Sequence, residues 1–466
     1  MKIPIIDKLN KDFFFFLFLF LIALIWLIIS PSFFGTFEPD SLSYINGESA
    51  RTSIYPYLIG FFFQQNLKYN YLIYFQIFFL TFSLILLLIV LRVRGHSFKG
   101  IFVIYLLLFL NIYYLSFSKT ILTEAIFFSL INFATSLLIL EKQLTKNYFL
   151  SILFGFIIGG IYAIKSVGII LFFFFFLGFL FFSLKYKRIK QIFVCLIFSS
   201  LLPILEHKIY FEKYESRSNV FTKSIIGKIF IISGSKKFRF ENYNEIHKNF
   251  ISIFRNDSKL INSYISNLKN PFLIANLKAD YEVVGQYQYE TQINEFQTKN
   301  NIENFNHFKK QLGFKMIFNH PIEFIKISLW HYFGLWAPGG KQLFVTNHEN
   351  LPLTSKLNNS SSDIIFLKKI FLEIAICFFL LLFLFFTLFS IRCIFIILKR
   401  SWEKIDVFNI LCLICQIYLI LVSITNISTP RYLMPFYPVV VIIFCLYFKE
   451  MFIILKKNLN VRSNQK

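Results

Sequence analysis

Apolar runs of about 20 residues, the length that crosses the hydrocarbon core of a bilayer, recur along this chain with short polar connections between them. They fall at residues 13–30, 71–91, 101–117, 122–140, 148–164, 167–184, 191–205, 372–391, 405–424 and 432–448, which predicts ten transmembrane helices. Two further apolar pieces, 55–63 and 321–336, are short or interrupted and read as interfacial or re-entrant helices. Between 206 and 371 the pattern changes. The chain there is rich in Asn, Lys, Glu, Gln and Tyr, and IHKNFISIFRNDSKLINSYISNL carries a helical period, so a mainly helical domain outside the bilayer is expected. The division that follows is an N-terminal transmembrane module at 1–205 with a first outer loop at 31–70, an extracytoplasmic domain at 206–371, and C-terminal transmembrane helices at 372–466.

Composition agrees with this pattern: 56% of residues are hydrophobic and only 16% charged, which excludes a soluble domain of this size. The fold class expected is an all-α polytopic protein of the cell (inner) membrane. A net charge of +23 would point to nucleic acid in a soluble chain, but here the basic residues sit between apolar runs, where they orient helices and meet anionic lipid. With the N-terminus in the cytoplasm, the inner connections collect groups such as Arg92, Arg94 and Lys99, or Lys185, Lys187, Arg188 and Lys190. The short outer connections then hold only Arg51, Lys68, Lys119, Lys165 and Arg431, so both termini are expected inside. Lys2, Lys8 and Lys11 precede the first apolar run as in a signal peptide, but SPSFFGTF lacks an A-x-A-like cleavage site. The six cysteines lie in or beside predicted spans and form no disulfide framework; Cys412 and Cys415 read as apolar packing. His307, His320, His331 and His348 lack metal-ligand spacing.

The chemistry concentrates at the outer face. The stretch 37–60, FEPDSLSYINGESARTSIYPYLIG, sets Glu38, Asp40, Glu48 and Arg51 among prolines and tyrosines directly after the first span. A carboxylate at a membrane boundary is costly unless solvated or paired, which makes Asp40 a candidate for catalysis or substrate binding. The alternative is that Asp40 caps a short helix starting at Ser41. Glu124, in LTEAIFF, reads either as an acid favoured by the dipole of the helix it opens or as a group that positions an acceptor or binds a metal. Four of the five outer cations stand beside polar motifs: Arg51, Lys119 in SFSKTILTEA, Lys165 in GGIYAIKSVG, and Arg431 in NISTPRYLMPFYP. Each alone reads as an interfacial anchor; together at one face they suit a lipid phosphate.

In their order and common sidedness, EPDSLSY…ESARTSIYPYLIGF, LTEAIFF, GFIIGGIYAIKSVG, HPIEFIK and RYLMPFYP resemble the membrane-integral C-type (GT-C) glycosyltransferases. The likeness is to the bacterial relatives of protein O-mannosyltransferases and of lipid A aminoarabinose transferases. It covers about two-thirds of the chain and leaves 206–319 unmatched. The resemblance implies transfer of a sugar from a polyprenyl-phosphate donor to a glycolipid, polysaccharide or protein acceptor at the outer face. Asp40 would be the catalytic base, Glu124 a second acid of the site, and Lys165 and Arg431 contacts to the donor phosphate. On chemical grounds Arg51 and Lys119 join them, because a sugar phosphate leaves as an anion that cations stabilise. No cofactor is assigned, a divalent metal being one option at the acidic residues. The order Glu38-Pro39-Asp40-Ser41 departs from the adjacent acids of many mannosyltransferase relatives. Two other classes fit the same charges: a transporter or flippase of a phosphate-bearing lipid-linked sugar, and an inactive sugar-binding subunit. The absence of repeated halves with matching broken helices speaks against transport.

Overall fold

The computed structural model describes residues 4–49, 51–64, 69–214, 220–337, 366–425 and 429–463. These form twenty α-helices with no strand among the described residues. In chain order they are α1 (Pro4–Ile29), α2 (Pro39–Ile45), α3 (Ile54–Gln64), α4 (Tyr69–Val93), α5 (Phe98–Phe109), α6 (Ile112–Ser116), α7 (Glu124–Ile139), α8 (Glu141–Lys146), α9 (Tyr148–Ile164) and α10 (Gly168–Lys185). There follow α11 (Ile189–Lys213), α12 (Val220–Ser233), α13 (Glu245–Ser266), α14 (Pro271–Tyr287), α15 (Glu290–Lys299), α16 (Phe305–Asn319), α17 (Pro321–Leu335), α18 (Phe366–Leu398), α19 (Val407–Thr425) and α20 (Tyr437–Ser463).

Every predicted span falls on helix, but among the described residues fewer than ten helices are long and apolar enough to cross. Seven helices qualify by length and hydropathy, lying within α1, α4, α10, α11, α18, α19 and the stretch that ends in α20. An eighth is gained if Phe98–Phe109 and Ile112–Lys119, bent by 61° at a short break, count as one. The expectation of ten is corrected at α7 and α9, of 16 and 17 residues. At 1.5 Å per residue each is shorter than a hydrocarbon core of about 30 Å. Burial gives the reason for α7: nearly every side chain of this helix is enclosed by protein, so its apolar surface faces neighbouring helices on all sides.

The chain divides into two compact units, one of residues 1–217, 381–418 and 434–466, the other of 218–380 and 419–433. In the first, α9 and α11 approach so closely that a Cβ at Gly159 would lie 2.5 Å from the Ser199 carbonyl oxygen, and one at Gly155 2.7 Å from that of Cys195. Only hydrogen fits there, which is how small residues bring apolar helices together. The bend after α5 frees carbonyls that side chains satisfy: Trp26 Nε1 donates to Phe109 O at 2.6 Å and the Tyr437 hydroxyl to Leu107 O at 2.6 Å. Asn111 caps the new start, its Oδ1 accepting from Tyr114 N at 3.1 Å.

The second unit has its own core. Phe230, Phe250, Phe254, Leu277, Tyr281 and Leu312 of α12, α13, α14 and α16 are almost fully enclosed. Within it Lys228 Nζ lies 3.2 Å from Glu282 Oε1 and donates to His331 Nδ1 at 3.1 Å, and His331 Nε2 lies 3.0 Å from Glu282 Oε2.

Candidate functional site

The first outer loop builds the site. Helix α2 starts two residues earlier than a cap at Asp40 would require: Glu38 occupies the N-cap position, Pro39 opens the helix, and Asp40 lies in its first turn. The Ser41 hydroxyl accepts from Glu38 N at 2.9 Å. Asp40 is therefore not the cap, and its carboxylate is left to make contacts away from the helix end, where the dipole favours its charge. The helix stops at Gly47, whose φ of 57° is the left-handed conformation that a side chain disfavours. Gly47 N bonds Tyr44 O at 3.1 Å and Glu48 N bonds Ser43 O at 2.9 Å, the paired bonds of a Schellman stop. A further turn from Glu48 to Arg51 folds the chain back on the helix it has just left.

Arg51 thereby meets Asp40. Its Nη2 lies 2.7 Å from Asp40 Oδ1, its Nε donates to Ser43 Oγ at 2.7 Å, and its Nη1 to the Tyr44 hydroxyl at 3.5 Å. The guanidinium also sits 4.5 Å from the centre of the Tyr44 ring. Asp40 keeps 36% of its side chain exposed, which leaves the carboxylate both oriented and reachable.

From Tyr44 the contacts continue inward. Its hydroxyl lies 3.3 Å from Thr123 Oγ1, which donates to Glu124 Oε2 at 3.3 Å, and Lys165 Nζ lies 2.6 Å from Glu124 Oε1. Asp40, Arg51, Glu124 and Lys165 thus share one unbroken run of polar contacts, carried by Tyr44 and Thr123. Glu124 opens α7 and is 1% exposed; Lys165 occupies the break between α9 and α10. The loop is pinned to that break by Thr52, whose hydroxyl donates to Ile164 O at 2.7 Å. Tyr55 packs edge-on against Tyr44 and donates to Gln76 Oε1 at 2.7 Å. Burial, with the nearby Tyr44 and Glu124, holds the Tyr55 phenol well above its ordinary range, so it remains a donor.

The other two cations have contacts of their own. Lys119 donates to the carbonyl of Ser30, to Ser30 Oγ at 3.2 Å and to Ile28 O at 3.5 Å, closing off the C-terminal end of α1. Its charge answers helix carbonyls and does not join the run from Asp40 to Lys165. Arg431 belongs to the second unit, in a 3-10 turn at Pro430–Tyr432 with its guanidinium 5.5 Å from the Tyr432 ring. Of the four histidines, His348 lies outside the described residues, His320 stacks on Phe238 with ring centres 4.8 Å apart, and His331 joins the buried cluster with Lys228. No group of three His, Cys, Asp or Glu side chains able to hold a metal occurs among the described residues.

A cavity of about 540 Å³ opens beside Arg51. Glu48, Arg51, Ser53, Tyr57, Lys213 and Tyr214 are among its walls. Two of these come from the end of α11, which runs eight residues past the apolar stretch ending at 205. Those last turns grip the loop: Ser53 N donates to Glu206 Oε1 at 3.3 Å, the Tyr210 hydroxyl to Ser49 O at 2.6 Å, and Lys213 Nζ to Gly47 O at 3.2 Å. Sequence reasoning missed them because hydropathy marks where a helix leaves the bilayer and is silent on where it ends. The tyrosines of YFEKY, spaced to lie on one helical face with Glu206, are the signal that was there. Compared with known proteins, the chain matches no family model, no curated protein and no solved structure.

Proposed function

We propose that this multi-pass membrane protein is a glycosyltransferase that moves a sugar from a polyprenyl-phosphate donor to an acceptor hydroxyl at the outer membrane face, with Asp40 as general base. The observation that carries the reading is the half-exposed Asp40 carboxylate, clamped by Arg51 at 2.7 Å beside a cavity large enough for a head group. A phosphate leaving group departs as an anion and needs no general acid, so a single base with nearby cations suffices. Asp40 accepts the proton of the acceptor hydroxyl as that oxygen attacks the anomeric carbon and the phosphate leaves with the bonding pair. Arg51 fixes the carboxylate in place. The Glu124–Lys165 pair, reached through Tyr44 and Thr123, holds the inner wall of the site in register.

Asp40→Asn keeps the shape of the side chain and removes the base. Sugar transfer from a polyprenyl-phosphate donor should fall by about 10² to 10⁴, the usual worth of a positioned base, in a protein that still purifies as a single species. Glu295→Gln, on an exposed position of the second unit, serves as the control and should turn over as wild type. Wild-type turnover by Asp40→Asn would exclude Asp40 as the base. A carrier protein, by contrast, would move the lipid-linked sugar across the bilayer with its glycosidic bond intact.

A further inference from the structure

Two hydroxyls on the wall of the cavity beside Arg51 are buried without a hydrogen-bonding partner among the described residues: Ser53 Oγ and Tyr214 Oη. Leaving a buried hydroxyl unmet is unfavourable, so two on one wall mark a place where something else supplies the acceptors. Lys213 lines the same cavity, and its Nζ donates to Gly47 O at 3.2 Å and lies 5.1 Å from the centre of the Tyr214 ring. An ammonium has three donors, and that carbonyl engages one. The absence of a side chain at Gly47 makes room for it, since a Cβ there would come within 2.7 Å of Nζ.

The wall therefore offers donors and asks for acceptors. Of the cations lining it Arg51 is already paired with Asp40, so Lys213 is the charge on this wall that favours an anion over a neutral sugar, whose hydroxyls also need acceptors. Beyond the polar end the lining is apolar: Tyr57 and Phe61 are 60% and 59% exposed on α3, and a Cβ at Gly60 between them would meet nothing within 4 Å. We propose that this cavity binds the phosphate head of an amphiphilic lipid, with Lys213, Tyr214 and Ser53 as donors and the Tyr57–Phe61 face as the start of its hydrocarbon track. That the lipid is the donor's carrier rests on the function proposed above; recognition of the phosphate does not.

The test uses the full chain in lipid nanodiscs and three probes: a polyprenyl monophosphate, the alcohol of the same chain length, and inorganic phosphate. The monophosphate should bind at least about tenfold more tightly than the alcohol, as one charge-assisted contact predicts, and inorganic phosphate should not displace it at matched concentration. Lys213→Met should weaken the monophosphate about tenfold with no effect on the alcohol, and Lys213→Arg should restore it. Tyr214→Phe should weaken it less. Gly60→Phe should fill the track and block both lipids without lowering the melting temperature of the lipid-free protein. Equal binding of alcohol and monophosphate, or unchanged binding by both Lys213→Met and Gly60→Phe, overturns the site. Displacement by inorganic phosphate at matched concentration overturns its lipid character. If Gly60→Phe does not fold, Lys213→Met and Tyr214→Phe decide the matter, because Lys213 is exposed and Tyr214→Phe removes one oxygen. Transfer that ignores Asp40 while binding still depends on Lys213 removes the enzyme and leaves the site; the opposite pattern removes the site and leaves the enzyme.

Discussion

Glu124 and Lys165 are a pair whose worth lies in being matched. Their side chains are 2% and 12% exposed and 2.6 Å apart, so removing either partner strands a charge in a low-dielectric interior. Lys165→Met should lower the unfolding free energy by about 3 to 5 kcal/mol, and adding Glu124→Gln to it should recover much of that loss. Thermal unfolding of the three variants in detergent checks this; a double variant no better than Lys165→Met would mean that the two residues act separately. The sequence announced both residues, since each stood next to a polar motif beside an apolar run. The stop of α2 had a signal that the sequence reading did not use, a glycine after SYIN, where a helix ends. The connection between the two pairs was not readable. Tyr44 and Thr123 are 79 residues apart, and nothing in either local pattern says that a phenol and a threonine hydroxyl will meet. Lys119 shows the reverse failure: a cation at the expected face whose three contacts all belong to the end of α1.

At the level of helices, α12, α14 and α17 trap Lys228, Glu282 and His331 together, and this gives the second unit a signed dependence on pH. Burial raises the Glu282 carboxyl to about 7, with the charge of Lys228 pulling the other way. In the folded chain it holds its proton up to about 7, whereas unfolded it releases it near 4.5, so its contribution to stability is lost as pH rises between those values. Burial, then the charge of Lys228, lowers His331 below its usual 6.5, so its contribution is lost as pH falls through that region. The two oppose each other below about 6.5, and Glu282 acts alone from there to about 7. Across pH 6.5 to 7.5 the wild-type melting temperature should fall, and Glu282→Gln should flatten that fall. Equal slopes would show that Glu282 titrates outside this window. A hydrophobicity profile gives the class of α12 but not this cluster, because Lys228 in KSIIGKIFIIS looks like one more flanking cation. Closeness of the helices decides: a Cβ at Gly227 would sit 2.4 Å from Glu282 Cγ, so the neighbouring lysine has no way out to water. The same distinction between composition and packing explains α7, whose apolar residues serve enclosure by other helices rather than a full crossing.

For the molecule as a whole, the distribution of lysine and arginine predicts that residues 206–371 lie outside the cytoplasm and both ends within it. Asn300→Cys and Ser463→Cys, each introduced into a chain whose six cysteines have been replaced by serine, allow a direct reading with a membrane-impermeant thiol reagent. In intact cells the first should label and the second should not; the opposite result would invert the topology and place the Asp40 loop on the cytoplasmic side. Class and helix positions were legible in the chain because they depend on runs of residues. The number of full crossings was not, because an enclosed helix and a lipid-facing one can share a composition.

The bend after α5 carries a consequence for the order of synthesis. Phe109 O finds its donor in Trp26, which emerges from the ribosome before it, but Leu107 O waits for a tyrosine 330 residues downstream. Until residue 437 arrives, that carbonyl has water, lipid headgroups or insertion machinery as its alternatives, and none of these persists in an apolar interior. A nascent chain stopped short of the last helix therefore holds α5 and α6 in an unfinished joint, and Tyr437 is the part that closes it.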